Sequence, residues 1–336
     1  MADFRVYTVM FTGFFIMTLF SLFLVLIEPK PDNDFPVKPP RHPRAYIIGI
    51  DGIGNLPKTV ETPGIHRVIY KGIYTFEAKT VHPSLSVESW TSLLHGVEPA
   101  KHKMYTKFEI EDNKPKFKEP KNSFPLTSEY PSIYRLIHEN HKDAKMACFS
   151  NWEFIPKYII EDNISVYKYY NKSEELLVEA FEKYMESNDP WLVFFQLDDT
   201  DEAGHKYGFF SDEQKKQLVK TDSAVSKIID IIEKYDRNDE DLIIIQTDHG
   251  GGGDYFAENK MEKPSFICEK CMHGSKDPKD MTIFWTARGK TICKFKRIEQ
   301  DVSIRDTAKF VAIYLGLLIP DNWDGYDLLY PENQCD

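Results

Sequence analysis

The chain reads as an α/β protein with a doubly wound, largely parallel sheet flanked by helices. Three observations carry this expectation. Short, uninterrupted apolar runs recur at 45–50, 144–149, 191–197, 242–246 and 281–286. Such runs suit strands buried on both faces, as parallel strands are. Helix-like stretches lie between them, the alternation expected of an α/β sheet. Asp51, Asp201 and Asp248 each fall within a few residues of the C-terminal end of a run. Open α/β sheets place their active crevice outside those ends.

The elements follow in order. Residues 1–5 form a short tail. Residues 6–27 are uncharged and nearly all apolar, long enough to cross a bilayer as one helix. No Ala-x-Ala-like cleavage site follows, so a signal anchor is expected, with a cleaved signal as the alternative. Arg5 and the amino terminus precede the segment, which places the bulk of the chain outside or in a lumen. Residues 28–43 carry Pro29, Pro31, Pro36, Pro39, Pro40 and Pro43 and form an extended spacer. Residues 44–336 are expected to form one catalytic domain. Within it, 173–186 opens on a Ser cap and repeats Leu176, Leu177, Ala180, Phe181 and Tyr184 at helical spacing. A second helix, 211–235, presents Leu218, Val225, Ile228, Ile229 and Ile232. Asp222 falls among these and is expected at the boundary of the stripe. Residues 304–317 read as a last helix.

Composition sets limits. Apolar content of 42% and charged content of 28% belong to a globular chain. A net charge of −11 argues against nucleic-acid binding, which needs a basic face. Asn163 and Asn171 head Asn-x-Ser sequons, fitting a lumenal or extracellular body. An oxidising compartment would let Cys268, Cys271, Cys293 and Cys335 form two bridges. Cys148 closes a buried run and is the expected free thiol. A Cys268–Cys271 bridge would brace the loop before His273.

The chemistry-bearing residues are three Asp and three His, enough to hold two divalent metals. Asp201-x-x-x-His205 puts two ligands on one face of a helical turn. Asp248-His249 precedes four glycines, which leave room for metal and substrate. Asp51 ends the first run and His273 opens His-Gly-Ser. Such a site still needs a nucleophile, and a hydroxyl is weak until a metal lowers its pKa. Ser84, Ser86, Ser89, Thr91 and Ser92 are all candidates by chemistry.

Five segments resemble the alkaline phosphatase superfamily in its type I phosphodiesterase/nucleotide pyrophosphatase branch. They are Ile50-Asp-Gly52, Pro83-Ser-Leu-Ser-Val-Glu-Ser-Trp-Thr-Ser-Leu-Leu-His-Gly-Val-Glu-Pro99, Asp201-Glu-Ala-Gly-His-Lys-Tyr-Gly208, Thr247-Asp-His-Gly-Gly251 and His273-Gly-Ser275. The resemblance implies an alkaline phosphatase-like fold and assigns Ser86 as nucleophile. It implies that Asp51, Ser86, Asp248 and His249 serve one metal, and Asp201, His205 and His273 the other, both usually zinc. Ser89 stands where many diesterases of the branch carry an Asn that holds a phosphate oxygen. The run Ser86-Val-Glu-Ser-Trp lacks the Pro and Arg of the sulfatase signature. The expected activity is hydrolysis of phosphodiester or pyrophosphate bonds in nucleotide or lipid head-group substrates, through a phosphoserine. The alternatives are a phosphoethanolamine-type transferase and a catalytically dead ectodomain.

Overall fold

The structure is a computed structural model that describes residues 42–111, 114–236, 240–265 and 267–328. The apolar segment 6–27, most of the proline-rich spacer and Cys335 lie outside the described residues. Among the described residues, no helix is long and apolar enough to cross a membrane.

The strands in chain order are β1 (Ala45–Ile50), β2 (Ile73–Lys79), β3 (Lys107–Glu111), β4 (Lys114–Lys118), β5 (Lys145–Ser150), β6 (Tyr167–Tyr170), β7 (Pro190–Leu197), β8 (Leu242–Gln246), β9 (Thr282–Arg288) and β10 (Lys296–Arg297). Eight of them form one sheet in the order β10-β2-β9-β8-β1-β7-β5-β6, and β3 and β4 pair separately. The main helices are α1 (Pro63–Lys71), α2 (Ser86–His95), α3 (Ile133–Asn140), α4 (Glu174–Met185), α5 (Asp199–Tyr207), α6 (Asp212–Tyr235) and α7 (Asp306–Tyr314).

The expected largely parallel sheet is in fact mixed. β1 pairs parallel with both β7 and β8, and β5 pairs parallel with β6 and β7. β9 runs antiparallel to β8 and to β2, so it opposes every other strand of the sheet. The reason lies in the connection. A parallel return needs a crossover, usually a helix, that carries the chain back to the starting end. Between β8 and β9 there are only the one-turn helices Tyr255–Glu258 and Pro278–Met281. The chain therefore re-enters the sheet at the end where it left. This places the His273 loop beside the C-terminal ends of β1, β7 and β8.

Two cores cover the two faces, as the winding requires. β1 is buried throughout. Ala45 and Ile47 join one core with Trp90, Leu93 and Leu94 of α2, Ile133 of α3 and Phe310 of α7. Tyr46, Ile48 and Ile50 join the other with Ile65 of α1, Leu177 and Phe181 of α4, and Ile228 and Ile232 of α6. Each large apolar side chain removed from water contributes about 1.5–3 kcal/mol, which is why both faces are apolar. Ser173 and Ser211 cap α4 and α6 by accepting from Leu176 N and Gln214 N.

Asp222 departs from its expected boundary position. It is only 3% exposed. Its carboxylate accepts from Gly64 N and Ile65 N, both at 2.8 Å. A carboxylate of α6 thus satisfies the unpaired N–H groups that open α1, a service the N-cap Thr62 side chain does not perform.

Candidate active site

β1 delivers Asp51 into the crevice because every residue before it is locked into the sheet. Asp51 N donates to Leu197 O at 2.8 Å. Its Oδ2 accepts from Trp90 Nε1 at 3.0 Å and Gln196 Nε2 at 2.8 Å. Gly49 makes the Trp90 contact possible. A Cβ there would lie 2.6 Å from Trp90 Cζ3, so only a residue without a side chain lets the indole cross the strand.

β7 ends at Leu197, and α5 presents Asp201 and His205 one helical turn apart. Asp201 Oδ2 lies 3.2 Å from His205 Nε2. Asp248 and His249 follow β8. Asp248 Oδ1 accepts from Gly52 N at 3.1 Å and from His249 N at 2.9 Å. His273 comes from the return loop and stacks on His249 with ring centroids 3.7 Å apart. Ser86 opens α2, with its Oγ 3.0 Å from His249 Nε2. Leu85, the N-cap, contributes no side-chain hydrogen bond.

The three imidazoles share one arrangement. Nδ1 of His249 faces Gly250 O at 2.7 Å, that of His273 faces Ser84 O at 2.8 Å, and that of His205 faces Cys271 O at 2.8 Å. A carbonyl can only accept, so each Nδ1 carries the proton. Each Nε2 is left to face the site, the usual outer support of a metal-bound histidine. Cys271 is bridged to Cys268, which holds that carbonyl in place two residues before His273. Cys148 is free and buried. Cys293 is disulfide-bonded.

In the crevice, three buried carboxylate oxygens lack a hydrogen-bond partner among the described residues: Asp51 Oδ1, Asp201 Oδ1 and Asp248 Oδ2. Leaving such an atom unsatisfied costs about 1–3 kcal/mol or more. Divalent cations would offset that cost. Asp201, His205 and His273 offer ligand atoms within 4.8 Å of one another, and so do Asp51, Asp201 and His249. The donor set, imidazole nitrogen and carboxylate oxygen, fits zinc. Asp201 therefore faces both groups.

Electrostatics agree. Burial, and then the charge of Asp201, push the Asp51 carboxyl up to about 7. Burial and Asp51 raise Asp248 well above the usual range. Burial would raise Asp201 too, but the adjacent His205 outweighs it and holds Asp201 low. Burial opposes the charged form of His205, yet Asp201 prevails and lifts it to about 9. Burial depresses His249 and His273. Asp51 and Asp248, raised by burial and crowded against a further carboxylate, are what a cation site presents before the cation binds.

Ser89 is fully buried and its Oγ sits 3.0 Å from Thr80 Oγ1. The cleft beside Ser86 is lined by Leu85, Val87, Thr106, Glu119, Trp152, His205 and His273, and Ser89 is absent from it. Asn163 is exposed in a turn with φ of 65°. Asn171 is half-buried, and its Oδ1 accepts from Ser173 N at 2.9 Å. The sequence reading missed Gln196 and Trp90. Gln196 had a signal, since it is the lone amide in the apolar run 191–197. Trp90 had none, because its apolar burial hides the one N–H that matters.

Comparisons with known proteins meet this geometry. Residues 46–314 match the family described as type I phosphodiesterase / nucleotide pyrophosphatase. No curated protein sequence matches the chain. Among solved structures, human ectonucleotide pyrophosphatase/phosphodiesterase 5 has a TM-score of 0.65 at 15% identity, covering 84% of this chain and 97% of that one. The murine protein gives 0.63 at 14% identity, with 83% and 97% covered. The 2-O GAG sulfatase BT1596 gives 0.63 at 11% identity, with 86% and 73% covered. These similarities concern the fold, an alkaline phosphatase-like α/β architecture. The match along 46–314 places the chain in the type I phosphodiesterase/nucleotide pyrophosphatase family, whose members are metal-dependent and typically hold two zinc ions, and the protein is a phosphodiester hydrolase.

Proposed function

We propose that this protein hydrolyses phosphodiester or pyrophosphate bonds in two steps, with Ser86 as nucleophile. One observation supports the reading most. Asp51 Oδ1 and Asp248 Oδ2, both buried without a hydrogen-bond partner, lie 3.4 and 3.2 Å from His249 Nε2, and Ser86 Oγ lies 3.0 Å from the same nitrogen, while Asp201, His205 and His273 converge beside them. Asp51, Asp248 and His249 with Ser86 would hold one zinc, and Asp201, His205 and His273 the other. Such a pair supplies Lewis acidity at the attacking and leaving oxygens. The chain supplies the rest. Ser86 Oγ gives up its proton and attacks phosphorus, the P–O bond to the leaving alcohol breaks as that alcohol takes up a proton, and a phosphoseryl intermediate forms that keeps the other ester arm. Water then cleaves the phosphoserine and returns the hydroxyl. The amino end of α2 aims its dipole at the phosphoryl oxygens.

Ser86→Ala should abolish turnover of a nitrophenyl phosphodiester while retaining most of the bound metal. Turnover like that of the wild type would overturn the assignment.

The expected setting is a single-pass membrane protein with an extracellular or lumenal body, anchored by residues 6–27. Support comes from the exposed Asn163 sequon and from the bridged Cys268, Cys271 and Cys293. Glycosidase treatment should lower the apparent mass, and carbonate washing should leave the chain in membranes. An unchanged mass with full release would refute this.

A further inference from the structure

The cleft at Ser86 is small, about 140 Å³. Glu119 and Trp152 also line a second cavity of about 390 Å³. The two spaces therefore share a wall. The larger one is bounded by the aromatic rings of Trp152, Tyr158 and Tyr170 and by the carboxylates of Glu119, Glu153, Asp198, Asp199 and Glu202. Lys157 and Lys172 are its cations. Lys157 is already committed, 3.6 Å from Glu153 and 5.3 Å from the Tyr158 ring. The carboxylates lining the larger cavity therefore outnumber the ammonium groups.

Trp152 is fixed from three sides. Its Nε1 donates to Glu119 Oε1 at 3.0 Å. Its N donates to Gln196 Oε1 at 3.0 Å and Ser150 Oγ at 3.1 Å. Its ring stacks on Phe154, with centroids 4.9 Å apart. Gln196 also holds Asp51, so one amide ties this platform to the catalytic centre.

We infer that Trp152 and Glu119 determine specificity, and that they select a phosphodiester whose ester arm ends in a compact organic cation, of the quaternary-ammonium or amino-alcohol class. This rests on the hydrolase reading above. An ammonium group gains from aromatic faces and from carboxylates together. A second phosphate on that arm would meet more carboxylates than ammonium groups, which disfavours nucleoside polyphosphates.

The test uses the zinc-loaded protein and two esters with the same leaving group, p-nitrophenyl phosphorylcholine and p-nitrophenyl thymidine 5′-phosphate. The choline ester should have the higher kcat/KM by ~10-fold or more, the scale of a desolvated cation–π contact. Tetramethylammonium should inhibit competitively. Trp152→Ala and Glu119→Gln should each lower kcat/KM for the choline ester several-fold more than for the thymidine ester, mainly through KM. Glu119 is exposed, so Glu119→Gln tests the idea even if Trp152→Ala folds poorly. Preference for the thymidine ester, or equal losses on both, would overturn the cation pocket alone. Hydrolysis of neither ester would overturn it together with the proposed function.

Discussion

Gln196→Leu isolates the link between fold and chemistry. The Gln196 side chain is fully buried in β7. Its Nε2 donates to Asp51 Oδ2 and Asp198 Oδ1, both at 2.8 Å. Its Oε1 accepts from Ser150 Oγ at 2.9 Å and Trp152 N at 3.0 Å. Hydrogen bonds to charged groups are worth about 1.5–3 kcal/mol and neutral ones about 0.5–1.5. Leucine keeps much of the volume, so little cavity cost is added. The expected loss is ~2–4 kcal/mol of stability, below the sum of the bonds because contributions within one network are not additive. Asp51 Oδ2 would then keep only Trp90. Removing such outer support typically costs 10–100-fold in metal affinity. The assay is zinc competition with a chromophoric chelator, at a temperature where both proteins are folded, alongside urea unfolding of the metal-free forms. Zinc affinity within twofold of the wild type, with stability lost as expected, would refute the positioning role and leave Gln196 merely structural.

Three further outcomes follow from the same geometry. Gly49→Ala should cost about 1–3 kcal/mol by overpacking, read as a lower Tm, because the added Cβ meets Trp90 and would sit 3.0 Å from Phe195 O. Asp222→Ala should cost ~1–2 kcal/mol, the scale of a lost cap, read as a lower urea midpoint, with Asp222→Asn intermediate. His205 supplies a pH dependence in the metal-free protein. Its folded pKa of about 9 lies above the 6.5 of an unperturbed ring. The stabilisation is therefore complete below pH 6.5 and is lost as pH rises through about 9. The side chain is 37% exposed, so solvent screening limits the effect to the order of 1 kcal/mol. Subtracting the urea midpoints of His205→Gln from those of the chelator-treated wild type, between pH 6 and 10, should reveal it; parallel curves would dismiss it.

Much of the fold is legible in local pattern. The central strands are apolar on both faces because both faces are covered, and their runs need no partner to be recognised. β2 and β6 carry no such run. β2 alternates buried and half-exposed residues, and β6 is mostly exposed, so near the sheet margins composition thins to a weak signal. The direction of β9 is invisible in its own residues, because orientation belongs to the connection. Asp222 looked like a boundary residue because its partners, Gly64 N and Ile65 N, are backbone atoms far away in the chain.

Residue order alone names the side chains that could carry the chemistry: three carboxylates, three imidazoles and a serine, spaced at strand ends and a helix start. Residue type and spacing are local properties, fixed before folding. It takes the folded chain to show that Asp201 faces both ligand groups, that backbone carbonyls orient each imidazole, and that Gln196 joins Asp51 to Trp152. Apart from the contact between neighbouring His249 and Gly250, those are distances between atoms separated by tens to hundreds of residues, and they exist only once two apolar cores hold the strands in register.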